Sequence, residues 1–559
     1  MKAACTKIFC LSCFKLCKKD QVFHSGNSHL LPVYTSLFSS MKKLFFLWVL
    51  AGATLAGCHQ EATPTPQPTA QAVPQLPLAP GAVVVNPSGF APLTAQVSFT
   101  YPVAGRTKLV VHGRHGAGSD VVQQFEDSGT SHSVPVLGLY PDFDNTVDLL
   151  LTDARGQLLA DTTLTIHAGP LPANMPTAIT VTTAPAVPLG SNFMLVSNFS
   201  SSNPQMPLLV DNYGDIRWVL DYSSSPVLKQ LSYDCGIARL QNGNFYFGDM
   251  NTNGLYEVDS FGNMVNTWSL PGYKFHHELY EKPDGNFLVT VSKTGSHHAD
   301  GEPTDEDYIV EIDRHANHIV QEWDLKQSLD ENRRALNTNP TDWVHVNAII
   351  YDPSDNTIIV SGRYQAVAKL TYDNHVKWLL APHRGWGTNH QGQDLSQLLF
   401  TPLDAAGQAI ADTAVVSGAA NHPDFEWNWY QHSIQLMPNG DLLLFDNGTN
   451  RNFIFGAPAH YSRVVEYRLD PARRTVQQIW TYGKERGEDT YSAIVSRVQY
   501  LPATNHIMFC PGYQVPNGNG AGGKIIELDY NTKKVLFEMT MTAANGWGFH
   551  RAQRGNIYP

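Results

Sequence analysis

Basic residues are in short supply. Thirty-eight Lys and Arg face 50 Asp and Glu over 559 residues, a net charge of −12. Residues 1–57 hold seven Lys and one acid, so the remainder of the chain falls to −18. A body this acidic offers no electrostatic footprint for a polyanion, which excludes nucleic acid as a partner. Cysteine is also sparse. Cys5, Cys10, Cys13 and Cys17 crowd into the first 17 residues, leaving Cys58, Cys235 and Cys510 for the rest. Three thiols cannot build a disulfide scaffold, although an oxidising compartment permits a Cys235–Cys510 bridge. Charged residues make up only 16% of the chain, with 43 Gly and 35 Pro, a balance that suits a turn-rich β protein.

Long apolar runs are missing, with one exception. "MKKLFFLWVLAGATLAGC" (41–58) has two lysines, an apolar run too short for a membrane span, and small residues ending at a cysteine. It reads as a secretory signal, and "LAGC" resembles a bacterial lipobox, which implies cleavage before Cys58 and lipid on its thiol. Met41 is then the expected start, and 1–57 is a signal region outside the mature chain. His59 follows the cysteine where an inner-membrane retention signal has Asp, so the expected location is the periplasmic face of the outer membrane. Residues 58–81 are Pro-rich and nearly uncharged, a semi-extended tether.

What remains is rich in short alternating strands. Residues 82–172 contain "AQVSFTYP", "TKLVVHG" and "NTVDLLLTDARGQLLADTTLTIHA", as expected of a small β-sandwich. From 173 to 559 the chain repeats itself. One hairpin family ends on Val or Ile followed by Trp, as in "PLLVDNYGDIRWVL" and "IVEIDRHANHIVQEWDL". A second interleaves with it, as in "LYEKPDGNFLVTV" and "IQLMPNGDLLLFD", and "HRAQRGNIYP" is a truncated last copy. Two hairpins per repeat and six repeats predict an all-β fold, a six-bladed β-propeller behind the sandwich. The outer-hairpin turns at Asp373 and Asp470 lie 97 residues apart, against 48 to 60 elsewhere. The excess, 383–427, shows no hairpin repeat and reads as a lid or loop before His432, not a seventh blade.

Aligning the inner hairpins on their turns gives one equivalent position per blade. Eight residues before Gly243, Gly285 and Gly440 stand Cys235, His277 and His432, and His345 and Ser496 hold the position in two further blades. The register selects His277 over His276. Equivalent positions converge on a propeller axis, so three imidazoles could share one small volume, with Asn347 two residues beyond His345 and Arg363 closing its hairpin. Such a set suits a tetrahedral oxyanion, with one imidazole able to act as nucleophile. Two other readings stay open. Each histidine could be structural within a non-enzymatic binding or scaffold propeller, and three imidazoles could hold a transition metal, which Arg363 and Asn347 oppose. "GNGAGGKI" (518–525) falls short of a phosphate loop, because Ile525 replaces Ser/Thr and a strand follows. "HHADGEPTDEDY" (297–308) lacks a calcium-loop spacing and reads as a solvated acidic loop.

The "H-V-N" of His345–Asn347 with Arg363 eighteen residues on, the "HHE" turn and "QHSIQLMPNGDLLLFDNG" resemble the bacterial arylsulfate sulfotransferase family. "GLYPDFDNTVDLLLTDARGQ" (138–157) is similar to that family's N-terminal domain, and the likeness covers nearly all of 82–559. The resemblance implies a PAPS-independent, ping-pong transfer of a sulfuryl group from a phenolic sulfate ester to a phenol. It implies no cofactor and no metal. It implies His432 as the residue transiently sulfated, with His277, His345, Asn347 and Arg363 binding the sulfuryl group. Members with a disulfide near the catalytic segment have cysteines where this chain reads "SGAANHPDFEWNWYQH" (417–432), so dependence on a disulfide-forming partner is not implied. The expected partners are the two phenolic substrates, the membrane through its lipid anchor, and in one arrangement a second copy in a homodimer.

Overall fold

The computed structural model describes residues 73–559, apart from 201, 234–235, 334–335, 337–338, 457–459, 519 and 544–546. The signal segment, Cys58 and Cys235 lie outside the described residues. Among those described, no helix is long and apolar enough to cross a membrane.

Two antiparallel sheets form the N-terminal sandwich. One joins Val83–Val85, Thr94–Thr100 and Ser131–Leu137; the other joins Val121–Gln124, Arg106–Val111, Phe143–Thr152 and Leu158–Ala168. Alternation along these strands turns Val97, Leu109, Val111, Val136, Leu149 and Leu151 into a core closed to solvent. The sandwich is riveted to the propeller by Arg217. Its buried guanidinium donates to Gly138 O (2.9 Å), the Tyr140 hydroxyl (2.9 Å) and Asp211 Oδ2 (3.0 Å).

Six antiparallel sheets follow. Blade 1 is Phe193–Phe199, Leu208–Asp211 and Ile216–Val219, completed on its inner side by Gly548–Gly555. Blade 2 spans Ala238–Arg239 to Met264–Ser269, blade 3 Tyr273–Glu281 to His318–Asp324, and blade 4 Val346–Asp352 to Val376–Leu380. Blade 5 runs from His432–Leu436 to Thr475–Tyr482 and blade 6 from Arg497–Leu501 to Val535–Ala543. Inner strands of successive blades touch, blade 3 to 4, 4 to 5, 5 to 6 and 6 to 1, and Phe245–Asp249 of blade 2 meets the inner strand of blade 3, so they line a common axis.

Ring closure goes further than the sequence implied. Besides the C-terminal strand in blade 1, Ala178–Thr183 pairs with Val535–Ala543 as a fifth, outer strand of blade 6. Both ends of the propeller chain are therefore locked into blades made by the opposite end.

The repeat's tryptophan has a structural purpose. Trp218 Nε1 donates to Ser260 O at 2.8 Å, Trp268 to Arg314 O at 2.7 Å, Trp323 to Thr371 O at 2.9 Å and Trp480 to Tyr530 O at 2.7 Å. Each of these outer-strand indoles thus bonds a carbonyl in the outer turn of the next blade. Trp378 of blade 4 packs instead on Phe400, 5.6 Å between centroids, because the long insertion intervenes there.

That insertion is neither a seventh blade nor a free lid. Thr401–Leu403 pairs in parallel with the outermost strand of blade 5, and Phe400, Phe425, Trp427 and Trp429 are fully buried. It is a packed buttress at the propeller rim. Residues 520–525 open a strand that pairs with Val515–Asn517 in a β-hairpin, as the glycines and following strand predicted.

Replacing Trp323 by Phe keeps most of the buried ring but leaves Thr371 O with the Asn374 N–H alone, a loss of roughly 0.5–1.5 kcal/mol. Calorimetry should show a lowered melting temperature; an unchanged one would refute the inter-blade role of these indoles.

Candidate active site

The inner strands do not run regularly to the axis. Blade 3 is bulged between Phe275 and Leu279, blade 4 between Val346 and Ala348, blade 5 between His432 and Ile434, and blade 1 between Phe549 and Arg551. Left-handed backbone accompanies the bulges: φ is 50° at His277, 51° at His345, 49° at Ser433 and 89° at Ser496. A bulge inserts a residue, bends the strand and re-aims its side chain, which a flat pleat at the same place could not do. Non-glycine residues in this region cost of order 1–3 kcal/mol each. The ring thus stores strain where it gathers its histidines.

They are gathered closely. The His277 ring centroid lies 4.9 Å from that of His345 and 6.1 Å from that of His432, and His277 Nε2 is 2.9 Å from His345 Nε2. Arg363 donates its backbone N–H to His345 O at 3.0 Å, and its guanidinium lies 5.2 Å from the ring centroids of Tyr364 and Tyr430. Asn347, almost fully buried, donates from Nδ2 to Gln431 O at 2.9 Å, the peptide that leads into His432. At least part of its hydrogen-bonding capacity therefore holds the nucleophile strand.

Several site residues were not visible in the repeat register. His550, in the bulge of the closing strand, has its ring 6.2 Å from His277; that strand lacks the turn by which the other blades were counted. His276, set aside by the register, is also buried here, its ring 5.1 Å from His277. Glu306 comes from 297–308, so that loop is not simply solvated. Its carboxylate sits 2.6 Å from His345 Nδ1 and 3.7 Å from His276 Nδ1, while Asp307 beside it is fully buried against Lys326. Asp342 Oδ2 lies 3.0 Å from the same His345 nitrogen.

Asn447 decides the state of His432. Its Nδ2 donates to Ser492 O (2.8 Å) and Val495 O (3.2 Å), which turns Oδ1 toward His432 Nδ1 at 2.8 Å. An oxygen there can only accept, so Nδ1 carries the proton and Nε2 keeps its lone pair. The approach to His432 is pinned by Asp446, which accepts from Trp429 N–H, Arg451 and Arg463.

The electrostatics divide the histidines into two kinds. Burial, then the charges of Arg363 and His277, hold His432 well below the usual imidazole pKa. Burial also opposes charge on His345, but the Glu306 carboxylate and hydrogen bonds to Asp342 and Glu306 outweigh it, raising its pKa to about 9. Glu306 shows the reverse balance: burial disfavours its charge, yet the surrounding histidines keep it well below the carboxylate range. At neutral pH a neutral imidazole with an open Nε2 therefore stands beside an imidazolium and a guanidinium. His345 Nε2 and His277 Nε2, 2.9 Å apart, share one proton in a hydrogen bond.

The groups His276, His277 and Glu306, and Glu306, Asp342 and His345, place donor atoms within 4.8 Å of one another and could hold a divalent cation. The Arg363 charge, which acts on both His345 and His432, opposes one. Of the "FEWNWYQH" aromatics, Phe425, Trp427 and Trp429 are core, and Tyr430 alone contacts Arg363. Cys510 is a free buried thiol whose pKa burial pushes up to about 12.

Histidine-selective ¹⁵N spectra should show His432 as the neutral Nδ1–H tautomer through the range where an ordinary imidazole titrates. His345 should stay doubly protonated until about pH 9. A charged His432 at neutral pH would overturn the assignment.

Comparison with known proteins converges on one chemistry. Residues 179–550 match the family model described as arylsulfotransferase (ASST), and residues 82–169 the arylsulfotransferase Ig-like domain. The chain is 30% identical over 548 residues to the arylsulfate sulfotransferase AssT of Escherichia coli O6:H1 strain CFT073, covering 82% of this chain and 90% of that one. Against the arylsulfate sulfotransferase AssT of Lelliottia amnigena, identity is 29% over 549 residues, with the same coverage. This chain therefore belongs to the arylsulfotransferase family, and is a sulfotransferase enzyme.

Proposed function

We propose that the enzyme moves a sulfuryl group from a phenolic sulfate ester to a phenolic acceptor, without a nucleotide sulfate, through a sulfated His432. The observation that carries this reading is the tautomer lock: Asn447 holds the Nδ1 proton, leaving His432 Nε2 open beside two cations. In the first half-reaction Nε2 forms a bond to sulfur as the ester S–O bond breaks. The departing phenolate takes a proton from the His277–His345 pair. In the second, the acceptor phenol returns a proton to that pair as its oxygen attacks sulfur and the N–S bond breaks. His432 ends neutral, and atoms and protons balance. Arg363 and the His345 imidazolium stabilise the equatorial sulfuryl oxygens, whose charge shifts during transfer. The rings of Tyr364 and Tyr430, 5.2 Å apart, give a phenyl group a surface to lie on. We further propose export and lipid attachment at Cys58, which rests on the sequence of 41–58.

With 4-nitrophenyl sulfate and phenol the protein should release nitrophenolate; a scaffold propeller would release none. Rapid quench with labelled donor and no acceptor should trap an acid-labile sulfuryl group on the His432 peptide. His432→Ala should abolish transfer, while His277→Ala keeps residual activity. Label on Tyr430 or Ser433 would move the nucleophile elsewhere.

Activity requires His432 neutral and His345 charged. The rate should therefore fall in acid only well below the ordinary imidazole pKa, and fall in alkali through about 9. Glu306→Gln removes a charge that holds the His345 proton, so its alkaline limb should move toward neutrality by about one pH unit or more. An unmoved limb would detach Glu306 from the site. Arg363→Ala should cost roughly 2–4 kcal/mol in kcat/KM, with Lys recovering little.

A further inference from the structure

One residue further along each inner strand, beyond the histidines, the axis opens into a second cavity of about 440 Å³. Glu278 follows His277, Ser433 follows His432, Arg497 follows Ser496 and Arg551 follows His550, and all four line it. Among the described residues its charged walls are two guanidiniums and one carboxylate. Arg551 consumes that carboxylate with both nitrogens, Nη1 to Glu278 Oε1 at 2.6 Å and Nη2 to Oε2 at 2.5 Å. Arg497 is left over. Its side chain has no hydrogen bond or ion pair among the described residues, and its Nε is fully buried without an acceptor. Burial and the Arg551 charge, against a smaller pull from Glu278, lower its pKa to about 10, the mark of an uncompensated cation.

The neighbouring amides add donors. Gln435 Oε1 accepts from Tyr500 N–H at 2.8 Å and Gln499 Oε1 from Arg554 N–H at 2.8 Å, bonds that orient each amide and leave its Nε2 to donate. Across the cavity the lining is apolar: Ile349, Ile350, Leu436 and Val498. An unpaired charge in a partly closed site costs several kcal/mol, which an anion of matching geometry recovers. The volume suits a small organic ligand and exceeds what an inorganic ion fills.

We propose that this axial cavity is a binding site, separate from the histidine cluster, for a small organic monoanion: its acidic head on Arg497 and the Gln435 and Gln499 amides, its apolar body against Ile349, Ile350 and Leu436. The proposal stands whether or not His432 is the nucleophile.

The probe is 1-naphthoate, with neutral 1-naphthylmethanol as control. Crystals of the wild-type enzyme soaked in naphthoate should show the ring in the axial cavity with its carboxylate on Arg497. Calorimetric affinity should drop by about tenfold or more in Arg497→Met, and Arg363→Met should leave axial occupancy intact. Naphthylmethanol should bind wild type no better than naphthoate binds Arg497→Met. Arg497→Gln, which also removes the charge, provides a second variant with the same expected loss. Naphthoate found only beside His432, or an affinity untouched by removing the Arg497 charge, overturns the proposal.

Discussion

The strand Gly548–Gly555 pairs with Phe193–Phe199 from the far end of the propeller sequence, and every other feature of the site rests on that pairing. Inner strands can be neighbours on an axis only if the ring is closed, and closure here is doubled by Ala178–Thr183 on blade 6. The chain-entropy cost of such a long loop grows slowly with length, so two extended ladders suffice to hold it. Inter-blade indole bonds such as Trp323 to Thr371 O then tie four of the blades to the next.

Within the closed ring the inner strands are forced out of regular pleat. His277 and His345 sit in left-handed backbone and their strands bulge, a local cost that a solvent-exposed sheet would relax. The surrounding ladder over-determines these bulges and converts their strain into convergence: imidazoles from blades 3, 4, 5 and 1 meet within a few ångströms.

Convergence alone would make a set of equivalent histidines. Carboxylates make them different. Glu306 and Asp342 reach His345 from outside the blade register and fix a proton on it, while Asn447, an uncharged acceptor, fixes only a tautomer on His432. Opposed pKa values in adjacent groups are what proton transfer and nucleophilic attack at one pH require. The same axial geometry one step along the strands gathers Arg497, Arg551 and Glu278, where the charges do not cancel.

The repeat was legible in the sequence because each outer hairpin carries turn residues between two apolar runs, and five of the six end on a tryptophan. The candidate histidines His277, His345 and His432 were legible for the same reason: a symmetric fold writes equivalent positions at equal distances from its turns. Glu306, Asp342 and Asn447 were not, because loop and strand-end residues bear no fixed offset to a turn. His550 escaped because its strand has no hairpin partner of its own. The second closing strand and the buttress at 401–403 were also hidden, since β-pairing partners hundreds of residues apart leave no local trace. Sequence by itself thus determined the number of blades and three of the imidazoles that meet. Tertiary structure decided which of them is neutral and which is charged, because a pKa depends on neighbours and burial that only the closed ring brings together.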